Sequence, residues 1–554
     1  MRLLAALLLI ACAAAPASGI LITEFCPDTW QKGEQDEYLV ITGEGSLDAV
    51  RIGDGEGSIA FPAGSRIAGS ATIARYATAY RTTHGILPDW EMYDTDPEVP
   101  DIRRTGDLRM GNEGDELYLT AGNALVQSVA WPGDVHPREG QVHVLEGGAW
   151  DLRPYFIGQS RFAPQTFTGV ALTAFVAPDC AGSVMASTLA GADEYVLVSV
   201  YEMTSPDITG WLSAAACSGV DVSIILEGGP VGGIPAGEGS AAAQLSESGA
   251  MVLQMGTTEA AHARYRYTHA KYAVVDGDAV LLTSENFKPS GFPETGKSGN
   301  RGWGVVIEDA AVAGYFEQVW QHDVAGGDIS PAHSSGPPAE EAAAAPYDPE
   351  FLPATFTGAT VTPVLSPDSS HLIIGLIDSA TRTLDIEQAY ITPWPASGEN
   401  PYLEAAIDAA RRGVAVRIML DGSWFNTEAE NDNDERVREI NALAAREGIP
   451  LQARTAALAS LGLEKIHTKG VIADGERVLV SSINWNENSP CFNREAGVII
   501  DHPGAGAYFA AVFESDWEGS PPQTAGEGVP LDKRLCAVGI LALLAVLGYR
   551  RHRR

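Results

Sequence analysis

The chain has 554 residues, a length that predicts about three domains. Hydrophobic residues make up 45% of it and charged residues 19%, which fits an ordinary globular protein with sizeable cores. The formal net charge of −36 repels nucleic acids and anionic membranes at long range. The charge therefore counts against a nucleic-acid partner, although a local basic groove at an active site would still allow one.

The cysteines do not indicate a metal or redox motif, because no two of the six have the C-x-x-C spacing. Cys12 and Cys536 lie in apolar terminal segments. Cys180 and Cys217 bracket one strand–helix unit and are the best-placed pair for a disulfide in an oxidising compartment. Free, buried cysteines are the alternative.

The first 19 residues have the features of an export signal. A positive residue, Arg2, precedes the apolar run 3–15, and small residues follow at 17–19. We therefore expect an exported protein whose mature chain begins near Ile20. The alternative is a lipoprotein signal in which Cys12 is lipid-modified.

Residues 20–135 have an all-β pattern of short apolar strands separated by Gly- and Asp-rich turns. The segments that carry a family resemblance are 21–25, 36–41, 61–64, 111–117 and 126–131. In order and spacing they resemble the lamin-tail domain. That resemblance implies an immunoglobulin-like β-sandwich that serves as a binding or spacer module.

Two later segments, 165–324 and 350–519, each alternate strands with helices, which predicts a mixed sheet covered by helices. Their landmarks repeat in the same order, so we predict a duplicated α/β unit. The segment between them, 325–349, is rich in Pro, Ala, Gly and Ser, and is predicted to be an extended or loose linker.

The carboxyl-terminal segment 535–549 is apolar and is followed by four arginines and a histidine. Its 15 residues are fewer than the roughly 20 that usually span a bilayer. A buried helix is the alternative to a short transmembrane anchor, but the polar stretch before it and the arginines after it favour the anchor. The arginines belong on the cytoplasmic side, which places the rest of the protein at the outer face of the membrane.

One motif occurs twice with identical spacing. In the first copy His269, Lys271 and Asp276 are followed by Ser284 and Asn286. The second copy lies 198 residues later (467 − 269 = 198) and consists of His467, Lys469, Asp474, Ser482 and Asn484. In a strand the His and the Lys share a face, so each unit presents an imidazole beside an ammonium group.

Two such units packed together suit a phosphate diester, because ammonium and amide donors stabilise its anionic oxygens. One histidine would attack phosphorus and form a phosphohistidine, while the other would protonate the leaving oxygen and then activate water or an alcohol. The lysine pair supplies the positive charge that a metal would otherwise provide. We therefore predict neither a metal nor a cofactor.

The doubled motif resembles that of the phospholipase D superfamily over residues 165–519. The resemblance implies a bilobal α/β fold with one active site between the halves, metal-independent phosphodiester hydrolysis or transfer, and a monomer, because both motifs are in one chain. The family often has a Glu after a downstream Asn. Glu495 occupies that position in the second half and is expected to orient a motif histidine, whereas the first half has Gly302.

The halves are therefore expected to differ, with His269 as the nucleophile and His467 as the acid. Ser284, Asn286, Ser482 and Asn484 are predicted to bind the substrate phosphate. Asp276 and Asp474 are assigned to the catalytic set by their place in the motif. A structural role in the turn that follows each strand is the open alternative for both aspartates.

Three functions remain open from the sequence. The first is a phospholipase D-like enzyme that acts on phospholipid head groups at a membrane. The second is an extracellular nuclease of the same superfamily, against which the net charge of −36 counts. The third is a surface adhesion protein with an inert catalytic fold, which the two intact motifs disfavour.

Overall fold

The computed structural model describes residues 19–521, apart from 113, 132–138, 147, 151–154, 260, 339–343, 396–397 and 429–431. Nearly all of the predicted export signal and the whole predicted membrane anchor lie outside these residues, as do Cys12 and Cys536. Among the described residues, no helix is both long enough and apolar enough to cross a membrane.

The amino-terminal region is all-β apart from one short helix, as its alternating apolar pattern predicts. Its elements are β1 (Leu21–Cys26), β2 (Tyr38–Ser46), β3 (Val50–Gly53), β4 (Ser58–Ala60), β5 (Arg66–Tyr76), α1 (Ala77–His84), β6 (Trp90–Tyr93), β7 (Arg103–Thr105), β8 (Asp115–Ala121), β9 (Ala124–Trp131), β10 (Gln141–Glu146), β11 (Ala149–Trp150) and β12 (Tyr155–Phe156).

These strands form two sheets packed as a sandwich. One sheet has the order β11-β10-β1-β2-β5-β6, with β12 also paired to β10, and the other has the order β7-β4-β3-β8-β9. Phe25 and Leu39 of the first sheet share a core with Ile52 and Leu117 of the second. The predicted domain end at residue 135 is too early, because β10 pairs with β1 and keeps the chain in this domain to Phe156.

The first α/β half begins with a long strand and ends with a long helix. Its elements are β13 (Phe167–Ala177), α2 (Ala181–Ala190), β14 (Tyr195–Val200), α3 (Pro206–Ser218), β15 (Asp221–Glu227), α4 (Glu238–Glu247), β16 (Met251–Met255), β17 (Lys271–Val275), β18 (Ala279–Thr283), β19 (Asn300–Glu308), α5 (Ala310–Val324) and β20 (Ile329–Pro331).

The second half repeats the order from β13 to α5, with four additional short elements and, within the described residues, no counterpart of β20. Its elements are β21 (Ala354–Ser366), α6 (Leu372–Asp378), β22 (Thr383–Gln388), α7 (Pro401–Arg411), β23 (Ala415–Leu420), α8 (Trp424–Glu428), α9 (Asn433–Glu447), β24 (Leu451–Thr455), α10 (Leu458–Leu461), β25 (Lys465–Ile466), β26 (Lys469–Ala473), β27 (Arg477–Ser481), α11 (Asn488–Phe492), β28 (Glu495–Asp501) and α12 (Pro503–Glu518).

A single mixed sheet runs through both halves. Its order is β20-β16-β15-β14-β17-β18-β19-β13-β21-β28-β27-β26-β22-β23-β24. Apart from β20, the strands on either side of the β13–β21 pair correspond one to one, which gives the pseudo-twofold arrangement expected of a duplication. The sheet also folds back on itself, because β18 and β19 of the first half contact β27 of the second.

Three apolar cores hold these layers together. Helices α2, α3 and α4 pack on the outer face of the first half, and α6, α7 and α9 pack on that of the second. The largest core lies between the halves and includes Phe316 of α5 and Phe509 of α12 beside strands from both halves. Burial between the halves therefore fixes the surfaces that meet at the motif histidines.

The predicted loose linker is in part ordered by specific contacts. Within 325–349, strand β20 extends the sheet by pairing with β16. The buried Asp328 binds Arg264, and the Tyr347 hydroxyl donates to Asp179. Composition alone missed these contacts because each depends on a distant partner in the chain.

The disulfide proposed from the sequence does not form. Cys180 is a buried free thiol at the start of α2, and Cys217 is an exposed free thiol on α3. Cys26 is also a free, buried thiol, and Cys491 is buried. The alternative of a free, buried cysteine is therefore correct for Cys180, whereas Cys217 is free but exposed.

Candidate active site

The two histidines are brought together because each motif segment crosses to the opposite half. The backbone N–H of His269 donates to the carbonyl of Arg494 at 2.7 Å, and that of His467 donates to the carbonyl of Arg301 at 2.8 Å. Arg301 lies on β19 of the first half, and Arg494 immediately precedes β28 of the second. Two chain segments far apart in sequence thus form one composite site.

His269 is held by a carboxylate from the second half. Its Nδ1 lies 2.8 Å from Oε2 of Glu495, which is fully buried. The same oxygen accepts from the Ser482 hydroxyl at 2.6 Å, while Oε1 accepts from Ser489 and from the Asn493 amide. With both oxygens bonded in this way, the Glu495 carboxylate is stabilised as an anion.

His467 is backed by a carboxylate that the sequence analysis missed. Its Nδ1 lies 3.4 Å from Oε1 of Glu285, a buried residue between Ser284 and Asn286. The other oxygen of Glu285 accepts from the Asn300 amide at 2.9 Å. A Cβ on Gly302 would lie 2.3 Å from Glu285 Oε1, so the Glu285 carboxylate occupies the space that a side chain at position 302 would need.

The two motif lysines are fully buried beside the histidines. Each bends back so that its ammonium group donates to a carbonyl two residues earlier, Lys271 to His269 and Lys469 to His467. Burial lowers the pKa of Lys271 to about 8, and burial together with the charge of Lys271 lowers the pKa of Lys469 well below its usual range. Two desolvated ammonium groups close together favour binding of an anion.

The two histidine–carboxylate pairs differ in electrostatics as well as in geometry. Burial lowers the pKa of His269. Burial alone would raise the pKa of Glu495, but the hydrogen bonds from His269 and Ser482 and the charge of Lys271 lower it. These directions favour a neutral imidazole beside an ionised carboxylate. Burial raises the pKa of Glu285 to about 7, and burial and the nearby lysines lower the pKa of His467 well below its usual range.

This difference is compatible with complementary roles for the two pairs. A neutral imidazole held by an anionic carboxylate has the free lone pair that a nucleophile needs. In the looser pair, the pKa of Glu285 near 7 leaves its carboxyl partly protonated at neutral pH. An anion bound between the lysines would offset the charges that lower the pKa of His467 and so favour proton transfer to its ring.

The predicted phosphate-binding serines support the site from behind. Ser284 and Ser482 are fully buried, and each hydroxyl accepts from the backbone N–H of the neighbouring strand, at Trp303 and Ala496 respectively. The Ser482 hydroxyl also donates to Glu495. Both serines therefore hold a neighbouring strand, Ser482 also positions the Glu495 carboxylate, and both are buried.

The predicted asparagines are half-buried at the ends of the same strands. The Asn286 amide lies 3.3 Å from Glu202, and its side-chain oxygen is buried with no hydrogen-bond partner. The backbone N–H of Asn484 donates to the Ser489 hydroxyl. Phosphate binding by Asn286 and Asn484 remains a prediction.

Asp276 and Asp474 are not brought to the site. Each lies at the opposite end of its strand from the motif histidine, in the left-handed region at φ 51° and 57°. Asp276 accepts hydrogen bonds from the backbone of residues 193–195, and Asp474 accepts them from residues 381–383. Their place in the catalytic set was wrong because motif membership does not show that strands β17 and β26 separate them from the histidines.

A second pair of acids was also missed. Glu227 and Asp421 occupy equivalent places just after the apolar part of β15 and β23, and both are buried. Glu227 accepts from the backbone N–H of Thr268 at 2.6 Å, and Asp421 accepts from that of Ile466 at 2.7 Å. Each acid therefore fixes the residue just before a motif histidine. An acid at the end of the same strand in both repeats was the available signal.

In the described part of the chain, one group of acids has ligand atoms close enough together to hold a metal ion. It consists of Glu91, Asp94 and Asp101 and lies in the amino-terminal domain. Both carboxylate oxygens of Glu91 already accept hydrogen bonds from the backbone of α1 and of residues 95–96. This cluster is an ordinary structural carboxylate with two exposed acids beside it.

The fold and the composite site place the protein among phosphodiester-acting enzymes built from two histidine–lysine units. Residues 185–324 and 373–517 both match the family described as "Cardiolipin synthase, PLD-like domain". The matched residues make up more than half of the chain. The protein therefore belongs to the phospholipase D-like family and is a phosphodiesterase of that superfamily.

Solved structures with similar folds have little sequence identity with this chain. Phosphatidylserine synthase from Haemophilus influenzae is 13% identical, covers 68% of this chain and 96% of its own, and has a TM-score of 0.49. Nuc, a phospholipase D family member from Salmonella typhimurium, is 22% identical, covers 30% and 99%, and has a TM-score of 0.25. NucT from Helicobacter pylori is 18% identical, covers 30% and 99%, and has a TM-score of 0.24. No curated protein sequence matches the chain significantly.

Proposed function

We propose that the protein is a metal-independent phosphodiesterase that acts on phospholipid head groups through a phosphohistidine intermediate. The observation that carries the proposal is the pairing of two buried lysines with two unlike histidine–carboxylate pairs in one site. The lysines bind the two non-bridging oxygens of the diester. The histidines then act in sequence on either side of phosphorus.

In the first step Nε2 of His269 attacks phosphorus, and the bond from phosphorus to the head-group oxygen breaks. Glu495 holds the Nδ1 proton of His269 and stabilises the positive charge that develops on the ring. The leaving oxygen takes a proton from Nε2 of His467. The products of this step are the free alcohol and a phosphoryl group bonded to His269.

In the second step Nε2 of His467 removes a proton from water, and the water oxygen attacks the phosphorus of the intermediate. The phosphorus–nitrogen bond breaks and His269 returns to its neutral form. An alcohol in place of water would give transfer in place of hydrolysis. Lys271 and Lys469 neutralise the charge that builds up on the non-bridging oxygens in both steps.

The net charge of −36 supports a lipid in preference to a nucleic acid. A nucleic acid carries a dense line of phosphates, and its binding depends on neutralising many of them with cationic side chains. A phospholipid presents a single diester, for which the two motif lysines are sufficient.

The proposal includes a location at the outer face of the cell membrane. It rests on the apolar segments at residues 3–15 and 535–549, with the arginines that follow the second segment. Limited proteolysis of intact cells tests it. The proposal expects external protease to remove the protein, and protection from protease in intact cells would contradict it.

Matched hydrolysis assays test the proposed reaction. Purified protein is incubated with labelled phospholipids or with plasmid DNA, in each case with and without a chelator. We expect head-group release that persists in the chelator, that is lost in His269→Ala and His467→Ala, and that survives in His262→Ala, an exposed histidine outside the site. Cleavage of DNA with no cleavage of lipid would contradict the substrate, and cleavage that survives both motif changes would contradict the site.

A further inference from the structure

Two loops beside the candidate site expose large apolar side chains. The first, residues 228–237, follows β15 and leaves Val231 70% and Ile234 40% exposed. The second, residues 421–428, follows β23 and leaves Trp424 68% and Phe425 50% exposed. We call these two segments the cleft loops. Isolated exposed apolar residues are ordinary, but paired ones beside a site indicate an interaction surface.

The cleft loops are equivalent in the duplicated fold. β15 pairs in parallel with β14, and β23 pairs in parallel with β22, so both loops leave the sheet at the carboxyl ends of corresponding strands. The two sequences differ, since one is rich in Gly and Pro and the other forms the short helix α8. Apolar exposure at the same place in both halves is therefore not a consequence of repeated sequence.

Each cleft loop is tied to a motif histidine by one carboxylate. Glu227 accepts from the N–H of Thr268 through one oxygen and from the N–H of Gly229 through the other. Asp421 accepts from the N–H of Ile466 through one oxygen and from the Asn426 amide through the other. Both loops are thus anchored to the residue that precedes a catalytic histidine.

A second contact places the first cleft loop next to the reacting groups. The N–H of Val231 donates to the hydroxyl of Tyr201 at 2.7 Å. The Tyr201 ring packs against the His269 ring with their centroids 4.7 Å apart. One side chain therefore separates the exposed loop from the proposed nucleophile.

Between the acids at their ends, the cleft loops carry no charged side chain, although Glu428 at the end of the second loop is exposed. No charged residue lies between Glu227 and Glu238, and none lies between Asp421 and Glu428. Side chains such as Trp and Phe favour the boundary between lipid head groups and acyl chains. Without lysine or arginine, these loops have no attraction for an anionic surface, and the net charge of −36 opposes one.

We propose that the two cleft loops dock the protein onto the surface of an electrically neutral phospholipid bilayer, with the mouth of the site against the head groups. This inference rests on the proposed lipid substrate. A bilayer fits the surface because it can contact loops on both halves at once and supply the substrate from the same plane. A protein bound across both loops would instead cover the mouth of the site.

Vesicle binding of the inactive His467→Ala protein tests docking without turnover. Vesicles of phosphatidylcholine alone are compared with vesicles that contain phosphatidylglycerol, at low and high salt. We expect tighter binding to phosphatidylcholine, with a difference that narrows as salt screens the net charge. Trp424→Ser with Phe425→Ser is expected to weaken binding about tenfold or more, because the attraction scales with the apolar area that enters the bilayer.

The matched control is Ile86→Ser with Leu125→Ser, which removes exposed apolar side chains from the amino-terminal domain. It should bind vesicles like the parent protein. In protein that keeps His467, the double variant Trp424→Ser with Phe425→Ser should lose activity on vesicles. It should keep activity on a water-soluble p-nitrophenyl phosphodiester. The second substrate separates the test of docking from the test of the proposed function. If wild-type protein cleaves neither substrate, the proposed function is contradicted, and the vesicle-binding result alone decides docking.

Three results would overturn docking. One is unchanged vesicle binding in the loop variants, and another is an equal loss in the Ile86 and Leu125 control. The third is an oligomer of the parent protein, seen by light scattering, that dissociates in the loop variants, since the cleft loops would then be an interface between two copies of the chain.

Discussion

The carboxylates behind the two histidines reach them from different positions in the repeat. Glu495 lies at the start of β28, whereas the equivalent position on β19 is Gly302. Glu285 comes instead from the residue after Ser284, where the second half has the buried Ile483. The missing side chain at 302 is what leaves room for the Glu285 carboxylate.

Moving the carboxylate from position 285 to position 302, the equivalent of Glu495, tests its role. Glu285→Ile should lower kcat by about 10²-fold, since the proton donor loses its partner. Adding Gly302→Glu should restore much of that activity, because it reproduces the geometry of Glu495 and the cleared space accepts the longer side chain. Steady-state kinetics of the single and double variants provide the measurement, with circular dichroism to confirm folding.

Two results would count against that account. Full kcat in Glu285→Ile would show that His467 needs no carboxylate. A folded double variant no more active than Glu285→Ile would show that the carboxylate does not act through its position beside His467.

The sequence predicted the residues that act through motif spacing and missed those that act from a neighbouring strand. Glu495 was predictable because a carboxylate two residues after an Asn is a linear pattern. Glu285 was not, because only the fold shows that its side chain fills the space above Gly302. Asp276 and Asp474 were misassigned for the same reason, since spacing does not tell which end of a strand faces the site.

The buried ammonium group of Lys271 predicts a pH dependence of activity. The pKa of Lys271 is lowered to about 8, so its ammonium group is charged below that pH and neutral above it. The value of kcat/KM should therefore fall as pH rises through about 7 and again through about 8, because Glu285 loses the proton of the acid pair and Lys271 then loses its charge. Lys271→Arg should remove the second fall and keep the first, because guanidinium stays charged. A profile that is flat to pH 10 in the wild type would contradict the assignment.

Two arginines join the halves at the level of secondary-structure elements. Arg301 on β19 binds Asp179 in its own half and Asp516 on α12 of the other. Arg494 before β28 binds Asp368 in its own half and Asp323 on α5 of the other. All of these groups are buried, and the carbonyls of both arginines hold the motif histidines. Arg301 and Arg494 therefore both connect the two halves and position the motif histidines.

Removing one of these arginines should be costly. Arg494→Met leaves Asp323 and Asp368 buried without their partner, so the free energy of unfolding should fall by about 3–5 kcal/mol. Arg411→Met breaks exposed ion pairs and should cost less than about 1 kcal/mol. Urea unfolding of both variants makes the comparison, with Asp323→Asn as a milder change if Arg494→Met does not fold. Equal losses of unfolding free energy in Arg411→Met and Arg494→Met would contradict the role of Arg494 in connecting the halves.

Most of these elements were predictable, and their partners were not. The predicted alternation of strands and helices over 165–324 is confirmed, for example by β14, α3 and β15. The repeated Asn-Arg pairs at 300–301 and 493–494 were visible, but their aspartate partners are more than 100 residues away in sequence. Local periodicity reports which face of an element is buried and contains no information about which distant charge it meets.

At the scale of the whole molecule, the duplication produces one site from two halves. The sheet continues from β13 into β21, and the central core takes residues from both halves. The repeat was clear in the sequence because its spacing is regular. The extent of the amino-terminal domain was not, because β10 returns to β1 after a long excursion and no local signal marks that pairing.

The central claim is that His269 forms the covalent intermediate and His467 moves the protons. A p-nitrophenyl phosphodiester has a leaving group that needs no acid, so His467→Ala should still form the intermediate but lack the base that resolves it. Mass spectrometry of the alkali-quenched His467→Ala protein should show a phosphoryl adduct on His269, with about one equivalent of p-nitrophenol released in a burst. An adduct on His467 in the wild type, or no burst and no adduct in His467→Ala, would contradict the account.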